Sequence, residues 1–291
     1  TRSERTSTLN FSTTGNIANS VITSVTSDAE ICIYTSTTTH VVLDVTGWIG
    51  SSGKLTLDEI GSVRAVDTRD GLGVPTRLRA GATAEIDLSG LVSGPDIGAV
   101  ALNLTAIRPA TRGFLAIDDC TTTLGTTSSL NVQAGEVRGN NGVFALGTGQ
   151  RLCVSTTTTT DITIDITGEF GTGAGYEFVP ADPERVLDTR RQSPVAPFSS
   201  ATYNLPSATL ADGRTLPAQA VSVNLTAARP ESGGFVTAWN CGPRPETSAL
   251  NPRPNVSTAN GALVGVPATR RSCLFHSAGG HLIVDLAGWW V

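Results

Sequence analysis

An internal repeat is the feature that most constrains how this chain of 291 residues folds. Two kinds of segment alternate along it. Segment A contains a D-T-R stretch and an N-L-T-A stretch and ends at a cysteine, whereas segment B begins with T-S-x-L-N and ends with an apolar stretch that holds one aspartate. The order is B, A, B, A, B, with the segments at 1–50, 62–120, 121–171, 183–241 and 242–291.

The composition of these segments predicts an all-β fold. Short stretches rich in β-branched residues are separated by Gly, Pro, Asn and Asp, and no helical periodicity persists over about ten residues. Strands are expected in the first A segment near 63–68, 83–88, 98–106 and 113–118. In the second B segment they are expected near 128–133, 142–147, 151–156 and 161–167.

Two architectures fit tandem four-stranded units that together form one repeat domain. Five units of about 58 residues suit the blades of a β-propeller, and we favour this arrangement because it accommodates an odd number of units. The alternative is a series of tandem β-sandwich repeats, each made from one A segment and the B segment that follows it. In that case the first B segment lacks a partner sheet and exposes an apolar face.

The five cysteines predict two disulfides in a secreted protein, extracellular or at the cell surface. Cys120 and Cys153 are separated by 33 positions, and Cys241 and Cys273 by 32. Cys32 matches the second cysteine of each pair, so its partner is expected to end an A segment upstream of residue 1. We therefore expect a chain cut from a longer precursor; a free thiol or a link to another chain are the alternatives.

One aspartate recurs in the last strand of each B segment, at Asp44, Asp165 and Asp285. Because side chains alternate along a strand, the apolar residues share one face and the aspartate lies on the other. We predict that the apolar face is core and that the aspartate face is solvated or partly covered. An architectural role is expected, in which the carboxylate accepts backbone N–H bonds or pairs with a repeated arginine; direct contact with a glycan or an ion is the alternative.

The A segments also place polar side chains within or beside apolar strands. We predict that these form a structural polar repeat, consisting of Asp67, Arg69, Asp188, Arg190, Asn103 and Asn224.

Aromatic and polar residues near the strand ends are the candidate binding residues. Aromatic rings stack on the apolar faces of sugars while neighbouring polar groups bond to hydroxyls; the alternative is that the rings fill the core. The candidates are Trp48, Trp239, Trp289, Trp290, Asp44, Asp165, Asp285, His40 and His281.

Several function classes find no support in the sequence. The net charge is −5 and Lys54 is the only lysine, so no basic nucleic-acid surface is expected. There is no apolar run long enough for a membrane span. No nucleophile elbow, zinc-protease or phosphate-loop motif occurs, so no catalytic residue, cofactor or metal is predicted. A carboxylate pair that meets only in the folded chain leaves a glycan-acting hydrolase open.

The motifs "RVLDTR", "AVSVNLTAARPESGGFVTAWNC", "TSALN" and "HLIVDLAGWW" resemble a tandem repeat of secreted and surface proteins of actinobacteria. The resemblance covers nearly the whole chain. It implies export and a cell-envelope or extracellular setting, and it implies no activity. We therefore predict a secreted, non-catalytic protein with lectin-like recognition of a cell-wall or environmental polysaccharide. A structural or protein-interaction scaffold, with a protein partner or an upstream chain reached through Cys32, is the alternative.

Overall fold

The protein is described here from a computed structural model, which covers residues 6–11, 15–58, 61–121, 127–210 and 212–291. Within these ranges the regular structure is β-strand, apart from one 3-10 turn at Thr189–Arg191. The all-β prediction is confirmed.

Residues 56–171 form two facing sheets. Their strands are β1 (Thr56–Asp58), β2 (Val63–Asp67), β3 (Thr83–Asp87), β4 (Ile97–Ile107), β5 (Gly113–Asp118), β6 (Leu130–Val132), β7 (Val137–Ala145), β8 (Arg151–Thr156) and β9 (Asp161–Gly171). One sheet has the order β1-β9-β4-β7, with β2 also paired to β9, and the other has the order β3-β8-β5-β6. All eight predicted strands are present, although β7 begins five residues before its predicted start and β1 was not predicted.

The second A–B pair repeats this arrangement. Its strands are β10 (Phe178–Asp188), β11 (Ser199–Asn204), β12 (Ala208–Thr209), β13 (Thr215–Leu216), β14 (Ala220–Ala228), β15 (Val236–Trp239), β16 (Thr258–Gly265), β17 (Arg271–His276) and β18 (His281–Trp290). One sheet has the order β10-β18-β14-β16, a second has β11-β17-β15, and β12 and β13 form a separate ribbon.

Each pair of sheets encloses its own apolar core. In the first pair, Ile162, Ile164 and Ile166 of β9 are completely buried, as predicted for the apolar face of that strand. They pack with residues of both facing sheets, such as Leu102 and Leu152. A corresponding core forms around the apolar face of β18 in the second pair. We call these two bodies the first and second sandwich.

The favoured propeller-like arrangement is not confirmed, and the described strands form the layers named as the alternative. A propeller blade requires each four-stranded unit to pair within itself. Here β9 of a B segment lies between β2 and β4 of the preceding A segment, so the two units are interleaved in one sheet.

A smaller apolar cluster lies between the two sandwiches. Its buried members come from both, and it places Phe170 and Trp290 in edge-to-face contact, with ring centroids 5.6 Å apart. Leu57 and Ala220 are buried in the same cluster. Ile22 of the first B segment packs against it.

The first B segment does not form its predicted strands in the described residues. Its stretch 40–48 has the same pattern as β9 and β18, yet Val42 and Trp48 are 85% and 83% exposed. β9 and β18 each pair with two strands of the A segment that precedes them. Each A segment of the sequence is therefore already paired with the B segment that follows it. Among the described residues, no A-segment strand remains to pair with residues 40–48.

Both predicted disulfides are confirmed. Cys120 is bonded to Cys153 and Cys241 to Cys273, in each case with Cα atoms 5.0 Å apart. Cys32 is exposed and unbridged. Two disulfides are consistent with a secreted protein. The described part of the chain contains no helix with the length and hydropathy needed to cross a bilayer.

Replacing Cys120 and Cys153 together by alanine is expected to lower the free energy of unfolding by about 3–4 kcal/mol, because the closed loop restricts the unfolded chain. Chemical denaturation measures this loss. Cys32→Ser is the control and should leave the midpoint unchanged, since this thiol is exposed and unbridged. Equal midpoints for the double variant and the control would contradict the stabilising role.

Candidate functional site

The aspartate of β9 is buried and forms an ion pair with a partly buried arginine. Asp165 is completely buried, and its two carboxylate oxygens accept bonds from Arg64 Nε at 2.8 Å and Arg64 Nη2 at 3.1 Å. Arg64 Nη1 also lies 3.4 Å from Asp67 Oδ2. Asp67 in turn accepts bonds from Arg69 Nε at 2.8 Å and Nη2 at 2.6 Å. We call these four residues the first Arg–Asp network.

The second sandwich repeats this network with nearly the same distances. Arg185 Nε and Nη2 donate to the carboxylate of Asp285 at 2.8 and 3.1 Å. Arg190 Nε and Nη2 donate to Asp188 at 2.9 and 2.7 Å. The predicted structural pairing of the D-T-R aspartates and arginines is therefore present in both copies.

Strand register brings each arginine to its aspartate. Arg64 lies directly opposite Asp165 in the antiparallel pair of β2 and β9, and an irregularity follows between Arg64 and Val66. Arg185 lies opposite Asp285 in the same way, with an irregularity before Leu187. Directly opposed residues of an antiparallel pair project their side chains to the same face, so each guanidinium meets its carboxylate.

The carboxylates of a network have different proton affinities. Burial raises the pKa of Asp165 and of Asp285, and the bonds from Arg64 and Arg185 oppose that rise. The bonds from Arg190 lower the pKa of Asp188 to about 2. Bonds from Arg69 likewise lower the pKa of Asp67. Asp67 and Asp188 are therefore ionised at neutral pH.

The aspartate face is buried because a T-S-x-L-N stretch from another repeat covers it. In the first sandwich, Asn103 Nδ2 donates to the carbonyl oxygen of Ser248 at 2.7 Å. In the second, Asn224 Nδ2 donates to the carbonyl oxygen of Ser7 at 2.6 Å. The expectation of a solvated or partly covered face is therefore wrong for β9 and β18, since a neighbouring repeat supplies the cover.

Two of the candidate tryptophans are buried. Trp289 is 8% exposed and donates from Nε1 to Pro206 O at 3.2 Å. Trp290 is 3% exposed and donates from Nε1 to Ser222 Oγ at 3.1 Å. Neither ring presents a free face to a ligand, so these rings fill the interior, which was the alternative in the sequence analysis.

The other candidates lie apart from one another. His40, Asp44 and Trp48 are all exposed on the segment without strands. His281 is half-buried, with Nδ1 2.9 Å from the carbonyl oxygen of Thr189. The structure does not gather these residues into one site.

Trp239 lies in a cleft between the two sandwiches with a volume of about 240 Å³. Its ring is half-buried, and its Nε1 donates to Gly242 O at 2.8 Å. Asn103 and Asn141 line the side formed by the first sandwich, and both are buried. Asn240 is exposed and lies beside Trp239. No carboxylate or histidine is among the described residues that line the cleft.

One group of metal-ligating residue types comes together in the described parts of the chain, at Glu85, Cys120 and Cys153. Because the two cysteines are bonded to each other, their sulfurs are not available as thiolate ligands. This group therefore offers a metal only one carboxylate.

Sequence reasoning missed Arg64, Arg185, Asn141 and Asn240. An arginine stands three positions before the D-T-R aspartate in both A segments, and this repetition was the available signal for the first two. Asn141 and Asn240 have no counterpart of the same type in every copy, so the repeat pattern did not single them out.

No protein-family model matches the chain, and no curated protein matches it. Among solved structures, the tandem CBM22-1–CBM22-2 domain of Paenibacillus barcinonensis Xyn10C aligns at 10% identity and a TM-score of 0.22, covering 80% of this chain and 93% of that one. Allantoicase of Saccharomyces cerevisiae aligns at 13% identity and a TM-score of 0.18, covering 83% and 95%. At these TM-scores the similarities carry no inference about fold or function.

Asp165→Asn is expected to lower the free energy of unfolding by about 3 kcal/mol, because it removes one partner of a buried ion pair. Asp44→Asn is the matched control at the equivalent repeat position. Asp44 is exposed, so its replacement should change stability by less than about 0.5 kcal/mol. Urea denaturation compares the two, and equal effects would contradict the structural role of Asp165.

Asp188 is expected to make stability depend on pH between about 4 and 2, since its folded pKa is about 2, below the usual value of 3.8 for an aspartate. A lowered folded pKa stabilises the protein above the unfolded pKa, and this contribution, about 2 kcal/mol, is lost as pH falls through the folded pKa. Asp285, with its raised pKa, acts in the opposite direction, so the measured quantity is the difference between the native protein and Asp188→Asn. That difference should shrink on acidification; a constant difference would contradict the assignment.

Proposed function

We propose that this chain is a secreted, non-catalytic protein that binds a polysaccharide through the cleft beside Trp239. The observation that carries the proposal is the half-buried Trp239 in a cleft of about 240 Å³, next to the exposed Asn240. An aromatic ring offers a flat apolar surface to the C–H face of a sugar, while amides bond to its hydroxyls. Both kinds of side chain line one concave site.

Rigid surroundings support the proposal. Trp239 ends β15, and the disulfide of Cys241 begins two residues later, linking this strand to β17. Asn103 is held on the other side by its bonds to Ser248 O and Thr105 Oγ1. A site held by strands and a disulfide needs little ordering when a ligand binds, which favours affinity.

The size of the cleft suits a sugar unit of a longer polymer. Its volume of about 240 Å³ is below the roughly 300–1,000 Å³ typical of pockets that enclose a drug-sized ligand. A cleft of this size contacts one part of a chain and leaves the remainder in solvent.

A structural or protein-interaction module is the second candidate, and the contacts between repeats favour it. Asn103 and Asn224 each donate to the backbone of a T-S-x-L-N stretch from another repeat. These contacts use the polar side chains that a ligand would otherwise need. A glycan-acting hydrolase is the third candidate, and it needs a pair of carboxylates that the described lining of this cleft does not supply.

Trp239→Ala is expected to weaken retention on insoluble polysaccharides and cell walls at least tenfold, since loss of one stacking surface costs about 1.4 kcal/mol or more. Pull-down followed by competition with free sugars measures this. Trp48→Ala is the matched control, because Trp48 is exposed on a segment that does not line the cleft.

Binding that depends on Trp48 and not on Trp239 would contradict the proposed site. Absence of binding to every polysaccharide and glycan tested would contradict the proposed function and support the structural module.

A further inference from the structure

The three B segments share an asparagine that lies nine residues after the asparagine of the T-S-x-L-N motif. These residues are Asn19, Asn140 and Asn260, following Asn10, Asn131 and Asn251. In each copy the amide of this asparagine donates back to its own segment: to Thr8 O, Ser129 O and Ala249 O. The three residues therefore have the same local role.

Two of these asparagines also bond to another B segment. Asn260 Oδ1 accepts the backbone N–H of Asn141 at 3.1 Å. Asn19 Oδ1 accepts the backbone N–H of Gly261 at 2.9 Å. In both cases the donor is the residue that follows the equivalent asparagine of another B segment. The third B segment thus contacts the second, and the first contacts the third.

The equivalent third bond is missing. Asn140 is 8% exposed, and its Oδ1 has no hydrogen-bond partner among the described residues. If Asn140 followed the pattern of Asn19 and Asn260, its Oδ1 would accept the backbone N–H of Ser20, the residue after Asn19. Ser20 N donates instead to the side chain of Asn19 at 2.9 Å. An unsatisfied buried acceptor costs about 1–3 kcal/mol, so a donor at this place would be stabilising.

The first and second B segments are nevertheless adjacent. A Cβ atom at Gly15 would collide with the side-chain amide of Gln133. The same two repeat positions meet between the second and third segments, where Glu136 Oε2 lies 3.2 Å from Arg253 Nη1. The contacts between B segments therefore run in a cycle, and a repeated contact that returns to its start closes a ring.

The described residues of the first B segment form no strand that would hold it in place. Val41, Leu43 and Val45 are 51%, 55% and 76% exposed, whereas their equivalents in β9 and β18 are at most 2% exposed. Cys32 is exposed, whereas its equivalents Cys153 and Cys273 are bridged to the cysteines that end A segments. An A segment would supply both the strands that cover these exposed apolar side chains and a cysteine that bonds to the unpaired thiol.

We propose that residues 6–50 and an A-type segment with its own terminal cysteine form a third sandwich. This sandwich completes a ring of three sandwiches, in which Asn140 accepts the hydrogen bond that closes the ring. The A-type segment pairs with residues 40–48, covers their apolar face and bridges to Cys32. Its N-L-T-A strand pairs with residues 16–24, the equivalents of β7, and sets the N–H of Ser20 against Asn140 Oδ1. Its asparagine takes the place of Asn103 and Asn224 and donates to the carbonyl oxygen of Ser128.

A fusion of the full chain to a copy of one of its own A segments tests this proposal. A copy of residues 172–241 joined to Thr1 places the added cysteine 32 positions before Cys32, the separation found between Cys241 and Cys273. A second fusion, with a copy of residues 54–121, gives 33 positions, as between Cys120 and Cys153. We expect a third disulfide, no free thiol after unfolding, and slowed amide exchange at residues 41–45.

Ring closure is tested by Asn140→Ala in the fusion and in the original chain. The bond from Asn140 Nδ2 to Ser129 O is lost in both, so the difference isolates Oδ1. We expect the folding equilibrium constant to fall several-fold further in the fusion, up to about tenfold.

Either of two results overturns the proposal. One is that neither fusion forms a disulfide to Cys32. The other is that a third sandwich forms and Asn140→Ala has the same effect in the fusion and in the original chain.

Discussion

An ion pair between a buried aspartate and a partly buried arginine lies on one sheet of each sandwich, and the surrounding structure depends on it. Asp165 and Asp285 have lost contact with water, and each is compensated by two bonds from one guanidinium. A lone buried carboxylate would be strongly destabilising, so the aspartate and its arginine must be placed together. The pair fixes the register between the first strand of the A segment and the last strand of the B segment.

The same polar face explains how the repeats join. Because the Arg–Asp networks and the asparagines beside them lie on the outer face of a sheet, they need cover, and a T-S-x-L-N stretch of another repeat supplies it through backbone carbonyls. Polar joints of this kind are directional, which gives the repeats one relative orientation. The cleft beside Trp239 forms at such a joint, so the proposed binding site is a consequence of how the repeats assemble.

The local sequence pattern was sufficient to predict the strands and the disulfides. It was insufficient where contact with a distant segment decides whether a residue is buried or paired. The alternation at 161–167 predicted the buried face of β9 because burial of that face is a property of the strand itself. Residues 40–48 have the same alternation and form no strand, since they lack paired neighbours. Burial of Trp290 depends on Phe170 of the other sandwich, and the pairing of Arg64 depends on strand register; neither is encoded in a short window of sequence.

A double-mutant cycle on Arg64 and Asp165 tests most directly whether this pair is what the fold depends on. The free energy of unfolding is measured by denaturation for Arg64→Met, Asp165→Leu and the double variant. Residues that form one buried pair should show a coupling energy of about 2 kcal/mol or more, with the double variant much more stable than the sum of the single losses predicts. Additive losses, with a coupling energy below about 0.5 kcal/mol, would show that the pair does not hold the sandwich together.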